Sequence, residues 1–516
     1  MRLVSLRIVA VAAALGVPTL ALAEPRTTLN IGMAAQDVGR LDPHFAVSTT
    51  DRIPVSWMFN GLVRFKPGSI DPATIEPDLA ESWEHSEDGK VWTFHLRQGV
   101  QFHAGMGEMT ADDVVFSLRR AADSKSSAFA ADYRAVESVE ALDPRTVRIT
   151  LREVVPSMLG LLANYSGGFV VSRKAVEARG ADFARQPVGT GPFALDAVTP
   201  NQQASFVANT AYFRGAPKLQ RVNYRFIPSD ASRDLAYQSG ELDVNYARTD
   251  QAWVNRTRQL PNTMVDVFEP TELSTLSINV TKPPFNDIRV RQAVAYAINR
   301  PELVRWRGAD VSREGQSLIP RGYLGFTADN GLLPNDVAKA KALLAEAGYP
   351  NGLTVKMIHT QLPDMLGGMQ VIQAQLKRAG INLDMQVVEH ATFHQQIRQD
   401  LSPLVYYAAA RFPVADIYLS QFWLGRSTVG TPTAVTNFSH CDVADKEIDA
   451  ARVATDEAEQ KRLWAEAQRK LVTNVCGVPL AETFLVFARR ADLDYGYELK
   501  GSMNLGPMVT EATHFR

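Results

Sequence analysis

Between Asn335 and Glu389 two helical stretches each run into a short strand, and this alternation restricts the fold more than any other feature of the chain. Asn335 to Ala347 has helical periodicity and is closed by Gly348 and Pro350; LTVKMIHT follows. Met369 to Ala379 is closed by Gly380, and INLDMQVVE follows. Glycine past the last turn accepts the left-handed conformation that ends a helix, and proline cannot continue one. Helix then strand, twice in succession, predicts an α/β unit. Upstream, Ile288, Val290, Val294, Ala297 and Ile298 trace a helical stripe in DIRVRQAVAYAIN, with Pro301 just past its end. Two further helices fit Asp445 to Val453 and Glu457 to Val472. A chain of 516 residues exceeds what one hydrophobic core supports, so two or three packing units are expected.

The first half reads differently. Val91, Thr93 and His95 alternate with Trp92, Phe94 and Leu96, the period of a half-buried strand, after a turn at Glu87-Asp88-Gly89-Lys90. Thr110 can cap the free amides of a helix whose first turn carries Asp113, and Val114, Val115, Leu118 and Ala121 give it an apolar face. VESVEALDPRTVRITL predicts a second strand pair turning at Asp143-Pro144-Arg145. Arg52 to Phe65 mixes apolar and polar positions without a clear period.

The N-terminus has the pattern of a secretory leader. Arg2 and Arg7 precede an apolar run from Ile8 to Leu22, and Ala21-Leu22-Ala23 places small residues at the cleavage positions. The run is short for a bilayer span and broken by Pro18. Residues 1–23 are therefore expected to be removed, leaving a soluble chain from about Glu24. No cysteine stands near the cleavage point, so lipid attachment there is not expected. Formal charge is −2, and −4 without Arg2 and Arg7, so no basic field invites nucleic acid. Cys441 and Cys476 are the two cysteines. An oxidising location favours a disulfide between them, against the alternative of two buried thiols.

Catalytic signatures are missing: there is no GxSxG, HExxH, CxxC or Walker loop. Gly189-Thr190-Gly191 is not a phosphate loop, because Pro192 follows and no GK[ST] is present. His390 and His394, with Glu389 nearby, are spaced to share one helix face and could ligate a metal, and His440-Cys441 is another possible soft site, but no metal or cofactor is expected. A binding cleft needs aromatic walls and a few polar anchors. Its best candidate is the apolar run Leu404 to Ala410, ending in Arg411, Phe412 and, further on, Asp416.

ESWEHSEDGKVWTFHLRQGVQFHAG, MTADDVVFSLRRA, VGTGPFAL, KPPFNDIRVRQAVAYAINRPELV and AKALLAEAGYPNG, in this order, resemble the extracellular family 5 solute-binding proteins. That family includes the oligopeptide-, dipeptide- and nickel-binding proteins of ABC importers, and the resemblance covers the mature chain. It implies an α/β, two-lobed periplasmic-binding-protein clamshell, type II-like, with an extra inserted domain. Residues 24–58, 186–270 and 483–516 would form lobe I, 59–185 the inserted domain, and 271–482 lobe II. Hinge crossings would lie near Glu269-Pro270 and Thr483. The implied role is capture of a small solute, by default a peptide or peptide-like molecule, by a periplasmic monomer that delivers it to ABC permease subunits. Opines, sugar conjugates and nickel chelates are the alternatives within that class; a secreted hydrolase or holdase is the alternative outside it.

In the peptide-binding relatives an aspartate in the 404–418 stretch pairs with the ligand's amino group; here Val414 aligns with it, and Arg411 stands where those relatives have tryptophan. Arg411 is expected to grip a carboxylate or phosphate, Asp416 to replace the missing aspartate or to cap the next helix, and Phe412 to wall the cleft. Asn164 and Tyr165 are expected to face the cleft from the inserted domain.

Overall fold

The computed structural model describes residues 26–516 except 131, 156, 164, 248, 431–435 and 455, and of residues 165, 166 and 391 the backbone only. The leader expected over residues 1–23 lies outside the described residues. No helix among them is long and apolar enough to cross a membrane.

Two long antiparallel strands organise the molecule, Thr263–Ile278 and Gly477–Arg490. They anchor a nine-stranded sheet. At one end, Gly477–Arg490 pairs with Val244–Tyr246, and beyond it come Thr28–Met33, Arg221–Phe226, Gln203–Ala208 and Phe193–Thr199. At the other end, Thr263–Ile278 pairs with Leu404–Ala409. The two long strands therefore join the two ends of the sheet. Their register shifts between Phe268 and Glu272, where Pro270 supplies no amide for the ladder.

Between the first and later strands of this sheet lies a four-stranded antiparallel sheet, ordered Ala80–His85, Val91–Leu96, Thr146–Leu151, Val136–Asp143. The helix Ala111–Ala122 packs on it, and its Thr110 N–H donates to Asp113 Oδ2 at 3.1 Å as the sequence predicts. On the other side of the molecule, Leu353–Thr360 and Ile381–Val388 pair in parallel, joined by the helix Pro363–Arg378. Val355, Met357, Ile372, Leu376, Ile381 and Leu383 close a second core, separate from the main one.

Three local expectations change. The helix expected from Met369 begins at Pro363; Gly367 and Gly368 are tolerated because Trp306 packs against their bare backbone. Pro301 follows the Ile288–Ala297 helix, but it also sits in the first turn of another, Arg300–Arg307, capped by Asn299. Proline is well suited to that position because its missing amide has no partner to lose. The aperiodic Arg52 region contains the helix Thr49–Met58, which carries Pro54 inside it and buries Trp57 against Phe206 and Tyr224.

Candidate functional site

The end of the Thr263–Ile278/Leu404–Ala409 ladder brings two charges together. Leu273 pairs with Ala409, so Glu272 and Arg411 leave the same end of the ladder. From Pro270 to Ile278 every side chain is buried except that of Glu272, which is exposed. The protein around it still raises the pKa of its carboxyl, while Arg307 and Arg411 act to lower it. An exposed side chain whose charge is nonetheless penalised by surrounding protein lines a cleft. No hydrogen bond from the described residues contributes to its titration.

Asp132 is the counterpart from the inserted region. Burial raises its carboxyl too, opposed first by Arg411, then by Arg134 and Arg52. Arg411 thus faces carboxylates from two different parts of the chain. Its guanidinium lies 5.0 Å from the Phe422 ring centre, with Nε donating to Gln421 Oε1 at 2.7 Å and Nη1 to the Ala410 carbonyl at 2.8 Å. The Tyr323 hydroxyl donates to the Arg411 carbonyl at 2.7 Å. Arg307 closes the other side, donating to Thr249 Oγ1 at 3.3 Å and to the Asp364 carbonyl at 3.2 Å. Tyr406 and Tyr246 stand in the field of Glu272 and Asp364, and burial raises both phenols.

A solute that brings amine or hydroxyl donors to Glu272 and Asp132, and a carboxylate to the guanidinium groups, gives each of these charges a partner of opposite sign. The arrangement suits a polar molecule carrying both signs of charge.

Phe412 is 2 % exposed and meets Phe65 at a ring separation of 5.6 Å. Its ring edge lies where a Cβ on Gly160 would come within 2.0 Å. It therefore forms the seam between the Leu404–Ala409 side and the inserted region. Asp416 needs a correction. It is 4 % exposed in the helix Ala415–Phe422, and its Oδ1 accepts from Arg452 Nε at 3.1 Å. This ties two helices together and gives the carboxylate a partner within the protein. Asp416→Asn is expected to cost roughly 1–3 kcal/mol of stability in chemical denaturation and to leave solute affinity unchanged. Asn164 and the Tyr165 side chain lie outside the described residues. Cys441 and Cys476 form a disulfide, closing a separation of 35 residues. Among the described residues no group of three or more His, Cys, Asp or Glu could hold a metal.

Glu272, Asp132 and Arg307 were not legible as a site in the sequence. Glu272 carries one usable signal, a lone charge two residues past Pro270 in the otherwise apolar and hydroxyl-bearing stretch Thr271 to Ile278.

Residues 74–429 match the model of the bacterial extracellular solute-binding proteins, family 5 Middle. Heme-binding protein A of Haemophilus influenzae is 29% identical over 457 residues, covering 83% of this chain and 82% of that protein. The solved structure of MoaA from A. tumefaciens R10, in complex with mannopinic acid, is 53% identical with a TM-score of 0.86, covering 95% of this chain and 100% of that one. DppA from Helicobacter pylori, in complex with the peptide STSA, is 26% identical with a TM-score of 0.81, covering 95% and 98%. These likenesses extend over both lobes and the inserted sheet, so the fold is the two-lobed clamshell, and the chain belongs to the bacterial extracellular solute-binding proteins of family 5.

Proposed function

We propose that this chain captures an opine-like solute, a sugar-derived amino acid bearing carboxylates, an amine and hydroxyls, between its lobes. Family membership makes it the solute-binding component of an ABC importer. The observation that carries the ligand class is Glu272, a carboxylate set against Arg411 and Arg307. Val414 supports it, because the amine-pairing aspartate of the peptide binders has no counterpart there, as does 53% identity to a protein that binds mannopinic acid. A peptide remains the family's default cargo and is the rival the experiment addresses.

The remaining parts of this reading are proposals of the same standing. The leader is cleaved and the mature chain works unlipidated in the periplasm. It catalyses nothing, and returns its solute unchanged to the permease. Residues 24–58, 186–270 and 483–516 move as one lobe and 271–482 as the other, about a hinge at Pro270 and Thr483. The disulfide staples the C-terminal helices of the second lobe.

Thermal unfolding with mannopinic acid and with the peptide Ser-Thr-Ser-Ala tests the ligand. Mannopinic acid at about a thousandfold above its Kd is expected to stabilise the chain by about 4 kcal/mol, and the peptide to leave the transition in place. Stabilisation by the peptide alone would reassign the cargo. Recovery of chemically altered ligand would make the chain an enzyme.

Closure itself has a handle in Gly160. Its α-carbon in the helix Met158–Ala163 admits the Phe412 ring edge, and a methyl group there collides with it. Overpacking of this kind costs about 1–3 kcal/mol. Because the collision spans the seam, Gly160→Ala is expected to weaken solute binding about tenfold. Small-angle scattering should show the solute-bound variant less compact than the wild type, with unchanged unfolding of the solute-free chain.

A further inference from the structure

A pair of histidines lies at the start of the helix His390–Arg398. His390 and His394 are one turn apart, and their Nε2 atoms face each other at 3.2 Å. The rings meet edge to face, with centroids 4.5 Å apart. Phe393, fully buried, packs against both imidazoles and fixes this face of the helix. Nδ1 of His390 meets Thr360 Oγ1 at 3.0 Å, at the end of the strand Leu353–Thr360. A proton on that Nδ1, donated to the threonine oxygen, leaves the lone pair on Nε2. Such a partner on the far nitrogen orients metal-binding histidines generally. Nδ1 of His394 has no hydrogen-bond partner among the described residues, so nothing fixes its tautomer against presenting Nε2 as a lone pair.

Two imidazole nitrogens each bound at ~2.0–2.1 Å to one ion, at angles between square and tetrahedral, stand ~2.8–3.4 Å apart. The separation here falls in that range. We propose that His390 and His394 form a two-imidazole site for a divalent late first-row transition-metal ion. Imidazole donors favour Ni2+, Cu2+ and Zn2+ over Mg2+ and Ca2+. No third protein ligand joins them among the described residues, so water completes the coordination and the site is open. Glu389 is occupied in capping the helix, its Oε2 accepting from the Thr392 N–H at 3.2 Å. Arg398 donates to the His394 carbonyl at 3.3 Å, and its positive charge one turn away weakens the site without closing it.

The probe is Cu2+, added alone to the metal-free mature protein and followed by electron paramagnetic resonance and equilibrium dialysis. The expected result is one tightly held equivalent per chain with the signature of two imidazole nitrogens. His390→Gln and His394→Gln keep the size of the side chains. Each should weaken uptake at least tenfold and reduce the signature to one nitrogen. Thr360→Val, which removes only the orienting hydroxyl, should weaken uptake by about tenfold while keeping both nitrogens. Circular dichroism establishes beforehand that each variant is folded. Equal Cu2+ uptake by the wild type and the double glutamine variant would overturn the proposal. So would a wild-type spectrum without imidazole nitrogen; the two Nε2 atoms would then share a proton only.

Discussion

Replacing Glu272 with glutamine is expected to lower affinity for mannopinic acid by about 10- to 100-fold and to leave the unfolding transition of the solute-free chain in place. Glutamine keeps the shape of the side chain and removes the charge, so the loss is that of a charge-assisted hydrogen bond, roughly 1.5–3 kcal/mol. No folding penalty accompanies it, because the described residues give the carboxylate no hydrogen bond to lose. The pH dependence follows from the raised pKa. In the closed, solute-free form, Glu272 favours closure while protonated, and this contribution is lost as pH rises through its raised value. A solute that donates to the carboxylate needs the charged form. Wild-type affinity should therefore fall as pH is lowered through the raised value, and Glu272→Gln should flatten that limb. Calorimetric titration across pH decides the matter. An unchanged affinity and an unchanged pH profile would mean that the carboxylate does not touch the solute.

The second large effect is expected at the hinge. The short strand Ser312–Glu314 pairs with Ala481–Thr483, which places Arg313 beside both crossing segments. Its guanidinium bonds Glu269 at 2.9 Å, just before Pro270, and Glu482 at 2.7 Å, just before Thr483. The Glu482 side chain is 0% exposed, and its carboxylate also accepts from Thr271 Oγ1 and from the Arg321 amide, both at 3.0 Å. Burial raises the Glu482 carboxyl, and Arg313 is the leading influence holding it down. Removing one partner of such a pair strands the other, at a cost of roughly 3–5 kcal/mol. Arg313→Ala is expected to lose about that much in urea unfolding, and Arg313→Ala with Glu482→Gln to recover most of it. Loss of less than about 0.5 kcal/mol would mean that water reaches Glu482 and that the clamp contributes little.

What could be read from the chain follows the range of the interactions involved. The Ala111–Ala122 helix announces itself because Thr110 and Asp113 complete their bonds within one turn. The Val91–Leu96 strand shows in its own alternation. The Pro363–Arg378 helix was half hidden because Gly367 and Gly368 argue against it locally, and only Trp306, distant in sequence, repays their bare backbone. Asp416 was misread for a related reason. Its position after Arg411 suggested the cleft, but its partner is Arg452, 36 residues on, and the helix turns the carboxylate that way.

The ordered motifs, the caps and the periodicities sufficed for the α/β class, the elements and the family, because each depends on residues close in the chain or on their order. The irregularity at Pro270 was visible for the same reason, since a missing amide breaks any ladder. The charges of the cleft were not. Glu272 and Asp132 are ordinary carboxylates in the sequence, and surrounding protein raises them only when the crossing strand, the inserted region and the Arg411 segment come together. Desolvation depends on what surrounds a group on every side, and one dimension of sequence cannot show that. Only the tertiary structure decided that Arg411 faces carboxylates from two directions and that Asp416 pairs with Arg452.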